Sequence, residues 1–385
     1  MCNDKSVYII GGLRTQIGKT NGILKHILPE KLTAHLISGI LDKYKISKEN
    51  IEEVIVGNVI GPGGNIARLS LLEAGLLFST VGTTIDFQCG SSLKAINMAA
   101  NMIRAGERDL VIAGGTESTS LAPKKQYNRN DFRYRGEDIF FKRAQFSPYY
   151  IGDPDMIEGA EYTANYCNIT REEMDILAVE SHGKAIKARD EKKLLNIIYP
   201  YMGIPKEDES IRNNVSIELM RKAKPILKAG SKITSANACL THDGAALVLL
   251  ASKEAVKKYN LKVEAELVYG ASTGISPMLS PLGATFAIEE ILNSRKLNIK
   301  DIDLVEINEA FAVKIIAFLK HFNYQRQKVN VYGGALAYGH PYGASGAVII
   351  LHLIEALKDK NKKRGIAAMG VGGGLGVATM IERCD

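Results

Sequence analysis

The chain has 385 residues, 46% hydrophobic and 24% charged, the balance of an ordinary globular protein with room for two or three domains. No apolar run approaches the roughly 18–20 residues of a membrane span, and the first residues lack the basic-then-apolar order of a secretory signal, so a cytoplasmic location is expected. The formal charge of +7 points to an anionic partner; the basic residues are dispersed, without a recognition-helix or aromatic–basic pattern, which disfavours nucleic acid and fits a phosphorylated small molecule.

Residues 7–10 read as a strand, leaving no room for a detachable leader before it, and 31–41 read as a helix. Residues 54–57 form a second expected strand and 66–74 a second helix. After Ser92, the residues Leu93, Ile96, Ala99, Ala100 and Ile103 fall at helical spacing on one face. The continuous apolar run 110–115 suits a strand covered on both sides. From 117 to 232 charged and aromatic residues dominate, and 171–188 is the one long helical pattern there. That stretch reads as an insertion forming a lid or contact domain over a ligand. Strand character returns at 245–250; a helix over 284–292, a strand over 304–307 and a helix from 309 to about 322 follow. A helix over 344–357 and strands over 366–369 and 376–381 close the chain. The strand–helix order of the first part recurs in the second, which predicts duplicated α/β halves around layered helices. The divisions expected are 1–116 plus 233–252 for the first half, 117–232 for the insertion and 253–385 for the second half.

Chemistry concentrates in a few places. Gly339-His340-Pro341 lies inside the glycine-rich run 333–346, where small neighbours let backbone and ligand approach the imidazole and Pro341 fixes the exit direction. A histidine held this way can polarise a carbonyl or take a proton. Five cysteines (Cys2, Cys89, Cys167, Cys239 and Cys384) are scattered without a C-x-x-C pair, so neither a zinc site nor a dithiol redox motif is indicated. Cys89 stands immediately before a helix, a position whose unpaired N–H groups lower a thiol pKa. By itself Cys89 reads rather as a small buried hydrophobe capping a core helix. Asn308 and Glu309 sit where a buried strand becomes a helix; alone, they read as cap and first-turn residues. Gly372-Gly373-Gly374 lacks the lysine and hydroxyl of a P-loop and reads as a close-packed turn presenting backbone N–H groups.

Together, Gln88-Cys89-Gly90-Ser91-Ser92-Leu93, Ala113-Gly114-Gly115-Thr116-Glu117-Ser118, Asn308-Glu309-Ala310-Phe311 and Gly339-His340-Pro341-Tyr342-Gly343-Ala344-Ser345-Gly346 resemble the thiolase family of acyl-CoA C-acyltransferases. The motifs occur in the family's order along essentially the whole chain. The resemblance implies an α/β fold with five αβαβα layers, an acetyl-CoA C-acetyltransferase type of activity and a homodimer or homotetramer. It implies a coenzyme A thioester as substrate, no tightly bound cofactor and no metal. Cys89 corresponds to the nucleophile and His340 to its activator. His340 with a water on Asn308 would form one oxyanion hole, and the N–H groups of Cys89 and Gly372 the other. Arg212 matches a position near the adenine end of coenzyme A. Cys239, within Asn237-Ala238-Cys239, belongs to a pantetheine-contacting loop, and Ala310 and Phe311 line the acyl and pantetheine pocket.

Several positions depart from that pattern. Gly370 stands where the family usually carries a second cysteine that moves the α-proton in Claisen condensation, so this step is expected to be impaired. Cys239 replaces a serine and His242 an asparagine, and Gly274-Ile275-Ser276-Pro277 lacks the usual aspartate before proline. A non-Claisen acyltransferase or thioesterase, a decarboxylating ketosynthase and a non-catalytic acyl-CoA-binding or assembly protein are the alternatives.

Overall fold

The computed structural model describes residues 6–384; Cys2 lies outside them. Its strands are β1 (Val7–Arg14), β2 (Gly18–Lys19), β3 (Glu53–Gly57), β4 (Val81–Ile85), β5 (Leu110–Glu117), β6 (His242–Ser252), β7 (Ala265–Gly274), β8 (Leu304–Ile307), β9 (Arg364–Val371) and β10 (Leu375–Arg383). The helices of the first part are α1 (Pro29–Tyr44), α2 (Ile66–Glu73), α3 (Ser91–Ala105), α4 (Met156–Tyr166), α5 (Arg171–Asp190) and α6 (Ile217–Lys222). Those of the second are α7 (Lys253–Lys258), α8 (Gly283–Arg295), α9 (Ala312–Phe322), α10 (Ala335–Tyr338) and α11 (Ser345–Asp359).

Strand pairing makes the duplication explicit. In the first half β1, β6, β5 and β3 lie side by side, joined antiparallel, antiparallel and parallel. In the second half β7, β10, β9 and β8 repeat both the order and the three directions. Strand β4 extends the first half parallel to β3. The halves join where Tyr8 and Ile9 of β1 pair with Glu266 and Ala265 of β7, making one ten-stranded sheet.

Three apolar clusters explain the layering. The central one joins the inner faces of both half-sheets to α3 and α11, through residues such as Leu93, Ile96, Val348 and Leu351. A second lies under α8 and α9, around Ile288 and Phe318, and a third under α1 and α2, around Leu36 and Leu71. Helix, half-sheet, paired helices, half-sheet and helix therefore stack as five layers. The buried stripe of α3 contains each residue expected from its spacing, and Gly106 ends the helix in the left-handed region with φ 79°.

The differences from the sequence reading have local causes. Strand β4 is a partly exposed edge strand, VGTTI, with too few apolar residues to stand out. Strand β7 is interrupted by Gly270 and ends in Ala-Ser-Thr-Gly, but pairing with β10 holds it extended. Helix α4 opens on a capping box, Asp155 with Glu158, that periodicity alone overlooks. Helix α9 begins at Ala312 because Phe311, at φ −144° and ψ 141°, is still extended.

The segment between β5 and β6 carries α4, α5 and α6 and packs α5 against α9 and α10. It is anchored to β1 by Arg14, whose buried guanidinium donates twice to Asp208 at 2.8 Å. Among the described residues no helix is long and apolar enough to cross a membrane.

Candidate active site

Helices α3 and α11 meet at their N-terminal ends. A Cβ on Gly346 would lie 2.4 Å from the Leu93 nitrogen, so glycine is what lets the backbones approach this closely. The turn holding Cys89 and the loop holding His340 therefore lie at one end of the central layer. A third piece joins them: a Cβ on Gly90 would lie 2.8 Å from side-chain atoms of Val371 and Val377, placing the Cys89 turn on the β9–β10 hairpin. The tip of that hairpin is Gly372-Gly373-Gly374, with Gly373 and Gly374 at φ 83° and 78°. The ring of Phe146, from the inserted segment, covers Gly372, 3.1 Å from where its Cβ would stand.

Cys89 follows a strained residue. Gln88 is left-handed at φ 47°, and its N–H donates to Asp86 Oδ1 at 2.8 Å. The Ser91 hydroxyl accepts from Phe87 N–H at 2.8 Å and donates to the Gln88 carbonyl at 2.6 Å, tightening the turn. The thiol behaves opposite to the sequence expectation. Burial pushes it up to about 11, and the Lys314 charge and the residue's own N–H offset this only in part. The reason is position: α3 starts at Ser91, two residues on, and loss of solvent around the sulfur outweighs the helix end.

His340 is 1% exposed. The Ser345 hydroxyl donates to the Pro341 carbonyl at 3.0 Å, so its lone pair faces His340 Nδ1 at 2.6 Å. In the tautomer protonated on Nδ1 the hydroxyl accepts from the ring and Nε2 keeps its lone pair. Asn308 Nδ2 lies 3.3 Å from the same Nδ1. His340 Nε2 and Asn308 Oδ1 are both buried without a hydrogen-bond partner among the described residues. Such orphaned atoms at a site are what an incoming polar group would satisfy. Burial, then the Lys314 charge, then His242, hold the His340 imidazole well below its ordinary pKa. The ring of Tyr342 meets it edge-on with centroids 4.9 Å apart.

The remaining sequence-derived residues divide. Segment 237–239 runs antiparallel beside the Asn308–Ala312 turn: Cys239 N–H donates to the Ala310 carbonyl at 2.9 Å, and Ala312 N–H to Asn237 at 2.9 Å. Ala310 and Phe311 are buried at 4% and 7% exposure. Cys239 feels the charge of Cys89, and Lys314 and Tyr342 feel that of Cys239, so this thiol belongs to the same cluster; burial pushes it up to about 12. Arg212 lies apart, exposed on the loop before α6, where its charge is felt by His182 of α5. Glu309 is a buried support, accepting from Ser181 Oγ at 2.5 Å and Asn330 Nδ2 at 2.7 Å.

Other residues shape the site without having been given a role from the motifs. Glu117 accepts from the backbone N–H groups of Val59, Ile60 and Gly343 at 3.0–3.2 Å, pinning the histidine loop to β5. Burial pushes its carboxyl up to about 7. His242 fills the space that a Cβ on Gly339 would need, and its ring lies between His340 N–H and the Ser210 hydroxyl, at 3.1 and 2.6 Å. Lys314 is fully buried, with Nζ donating to the Gly370 carbonyl at 2.9 Å. A lone cation in the apolar stretch Ala312–Leu319 was the signal for it in the sequence.

Residues 7–254 match the family model described as "Thiolase, N-terminal domain", and residues 261–383 match "Thiolase, C-terminal domain". The chain is 39% identical over 380 residues to the Staphylococcus aureus (strain MW2) protein named "Putative acetyl-CoA C-acetyltransferase VraB", covering 97% of this chain and 98% of that one. It resembles the crystal structure of the Bacillus anthracis acetyl-CoA acetyltransferase with a TM-score of 0.93 and 32% identity, over 100% of both chains. For the human mitochondrial 3-ketoacyl-CoA thiolase in complex with CoA the TM-score is 0.92 at 31% identity, over 99% of this chain and 98% of that one.

Proposed function

Starting from the fact that this chain belongs to the thiolase family of acyltransferase enzymes, we propose that it is an acetyl-CoA C-acetyltransferase working through an acyl-Cys89 intermediate on a coenzyme A thioester. The observation that carries this reading is the bare, buried Nε2 of His340 at the same end of the central layer as the Cys89 turn. With the thiol pushed up and the imidazole pushed down, the resting pair is neutral. The Cys89 proton then passes to His340 Nε2 as sulfur attacks the thioester carbonyl. The tetrahedral intermediate collapses, the acyl group stays on Cys89, and the imidazolium returns its proton to the departing coenzyme A thiolate. In this reading the N–H groups of Cys89 and Gly372 hold the first oxyanion, and His340 with a water on Asn308 holds that of the second step. Cys239, Ala310 and Phe311 border the acyl and pantetheine portion, and Arg212 serves the nucleotide end. Residues 1–116 plus 233–252, 117–232 and 253–385 are the units assigned to first half, insertion and second half, in a homodimer or homotetramer.

The test is intact-protein mass spectrometry after acetyl-CoA. The unaltered enzyme gains an acetyl group on Cys89 and Cys89→Ala does not; equal labelling of both removes the nucleophile assignment. A second reading rests on Gly370, which offers no proton-carrying side chain: the acyl group passes to water or another nucleophile instead of to a carbanion. Free acetate without acetoacetyl-CoA would favour it.

A further inference from the structure

We propose that Lys314 is the second acid–base group of this site, taking the α-proton of an acetyl thioester and later returning it to the Cys89 sulfur. The inference rests on the acyl-cysteine reading above. Lys314 is 1% exposed, in the first turn of α9, directly after the Asn308–Phe311 turn. A cation there faces two penalties: loss of solvent, and the positive end of the helix. No local structural need accounts for an amine in the run Ala312–Leu319, whose neighbours Val313, Ile315 and Ile316 are packed into the second apolar cluster. Its Nζ donates to the carbonyl of Gly370, the position where a side-chain proton carrier is missing.

Burial disfavours the charged form of the Lys314 amine. Among the described residues, the ionisable groups that face it are the thiols of Cys89, from the turn before α3, and of Cys239, from the segment before β6, with no carboxylate acting on it. The His340 imidazole, from the loop before α11, feels its charge in turn. Burial pulls the amine below its ordinary pKa. A neutral amine that donates one N–H to the Gly370 carbonyl keeps a lone pair for a proton.

The chemistry balances. The Lys314 lone pair takes a proton from the methyl group of acetyl-CoA, giving ammonium and the thioester enolate. The enolate carbon attacks the acyl carbonyl on Cys89, forming a carbon–carbon bond; the carbon–sulfur bond to Cys89 then breaks. The ammonium gives its proton to the released thiolate, and both side chains return to their starting states. In the reverse direction the Lys314 amine takes the Cys89 proton as sulfur attacks acetoacetyl-CoA, and the resulting ammonium gives that proton to the expelled carbanion.

The experiment follows deuterium from D2O into the methyl group of acetyl-CoA, alongside the Cys89 adduct, for the unaltered enzyme, Lys314→Met and Lys314→Arg. Exchange is expected in the unaltered enzyme and to fall by about 10²–10⁴-fold in both variants, while the Cys89 adduct still forms. Undiminished exchange in Lys314→Met, or exchange retained by Lys314→Arg (which supplies charge without a base), overturns the proposal, as does absence of exchange in the unaltered enzyme. Loss of the adduct with exchange intact would instead remove the acyl-cysteine reading. Should the variants misfold, bromoacetyl coenzyme A decides in the Cys89→Ala protein: alkylation mapped to Lys314 supports the assignment, and alkylation confined to Cys239 or His340 overturns it.

Discussion

The Ala347 N–H donates to the Ser92 hydroxyl at 3.1 Å, tying the first turn of α11 to the first turn of α3. With the close approach at Gly346, this bond joins the N-terminal turns of the two central helices, at the end where the segments leading into them carry Cys89 and His340.

Gly346 is the contact that bond depends on. A methyl group there would stand 2.4 Å from the Leu93 nitrogen and 2.6 Å from its Cβ, neither of which can move without shifting α3. Gly346→Ala should destabilise the protein by about 1–3 kcal/mol and slow acetylation of Cys89. Thermal melting and the rate of adduct formation check this. Unchanged values in both would mean that the helices separate freely.

The pH dependence of Cys89 reactivity follows from burial. Below a thiol pKa of about 11 the thiolate fraction rises about tenfold per pH unit. Alkylation by iodoacetamide should therefore climb steadily from pH 7 to 9. An imidazolium–thiolate pair would give a flat profile over that range, and such a result would contradict the neutral resting pair.

Gly370 does not have room for a side chain. A Cβ would lie 2.7 Å from the Pro281 carbonyl oxygen and 2.9 Å from that of Ser280, both backbone atoms. Gly370→Cys should lower stability by about 1–3 kcal/mol without raising acetoacetyl-CoA formation. The melting temperature and product yield measured together test this; a higher yield at an unchanged melting temperature would show that the 277–282 segment gives way.

Asp208 holds the inserted segment against β1. Asp208→Asn leaves the guanidinium of Arg14, 0% exposed, without its counter-charge, and breaking a buried pair in this way costs about 3–5 kcal/mol. The urea midpoint should fall accordingly, with little dependence on salt. The same loop carries Ser210 to the His242 ring beside His340, so acetylation should slow as well. A loss below about 1 kcal/mol would place this pair with ordinary surface ion pairs.

The order of motifs was legible in the chain: a cysteine before an apolar-faced helix, the Asn308–Phe311 turn and the glycine-flanked His340 identify the family and point to the pair proposed to react. Helix α3, strand β5 and helix α11 were equally legible, because periodicity and turn chemistry record how a single element is buried. Strands β4 and β7 were not, since their extended form comes from neighbours that pair with them. Three features of the site emerged from tertiary contacts alone: the upward shift of the Cys89 thiol, the crowding at Gly370 and the bond from Lys314 to the Gly370 carbonyl. Desolvation and steric room are set by what distant segments bring to one place, and no stretch of sequence carries that information by itself.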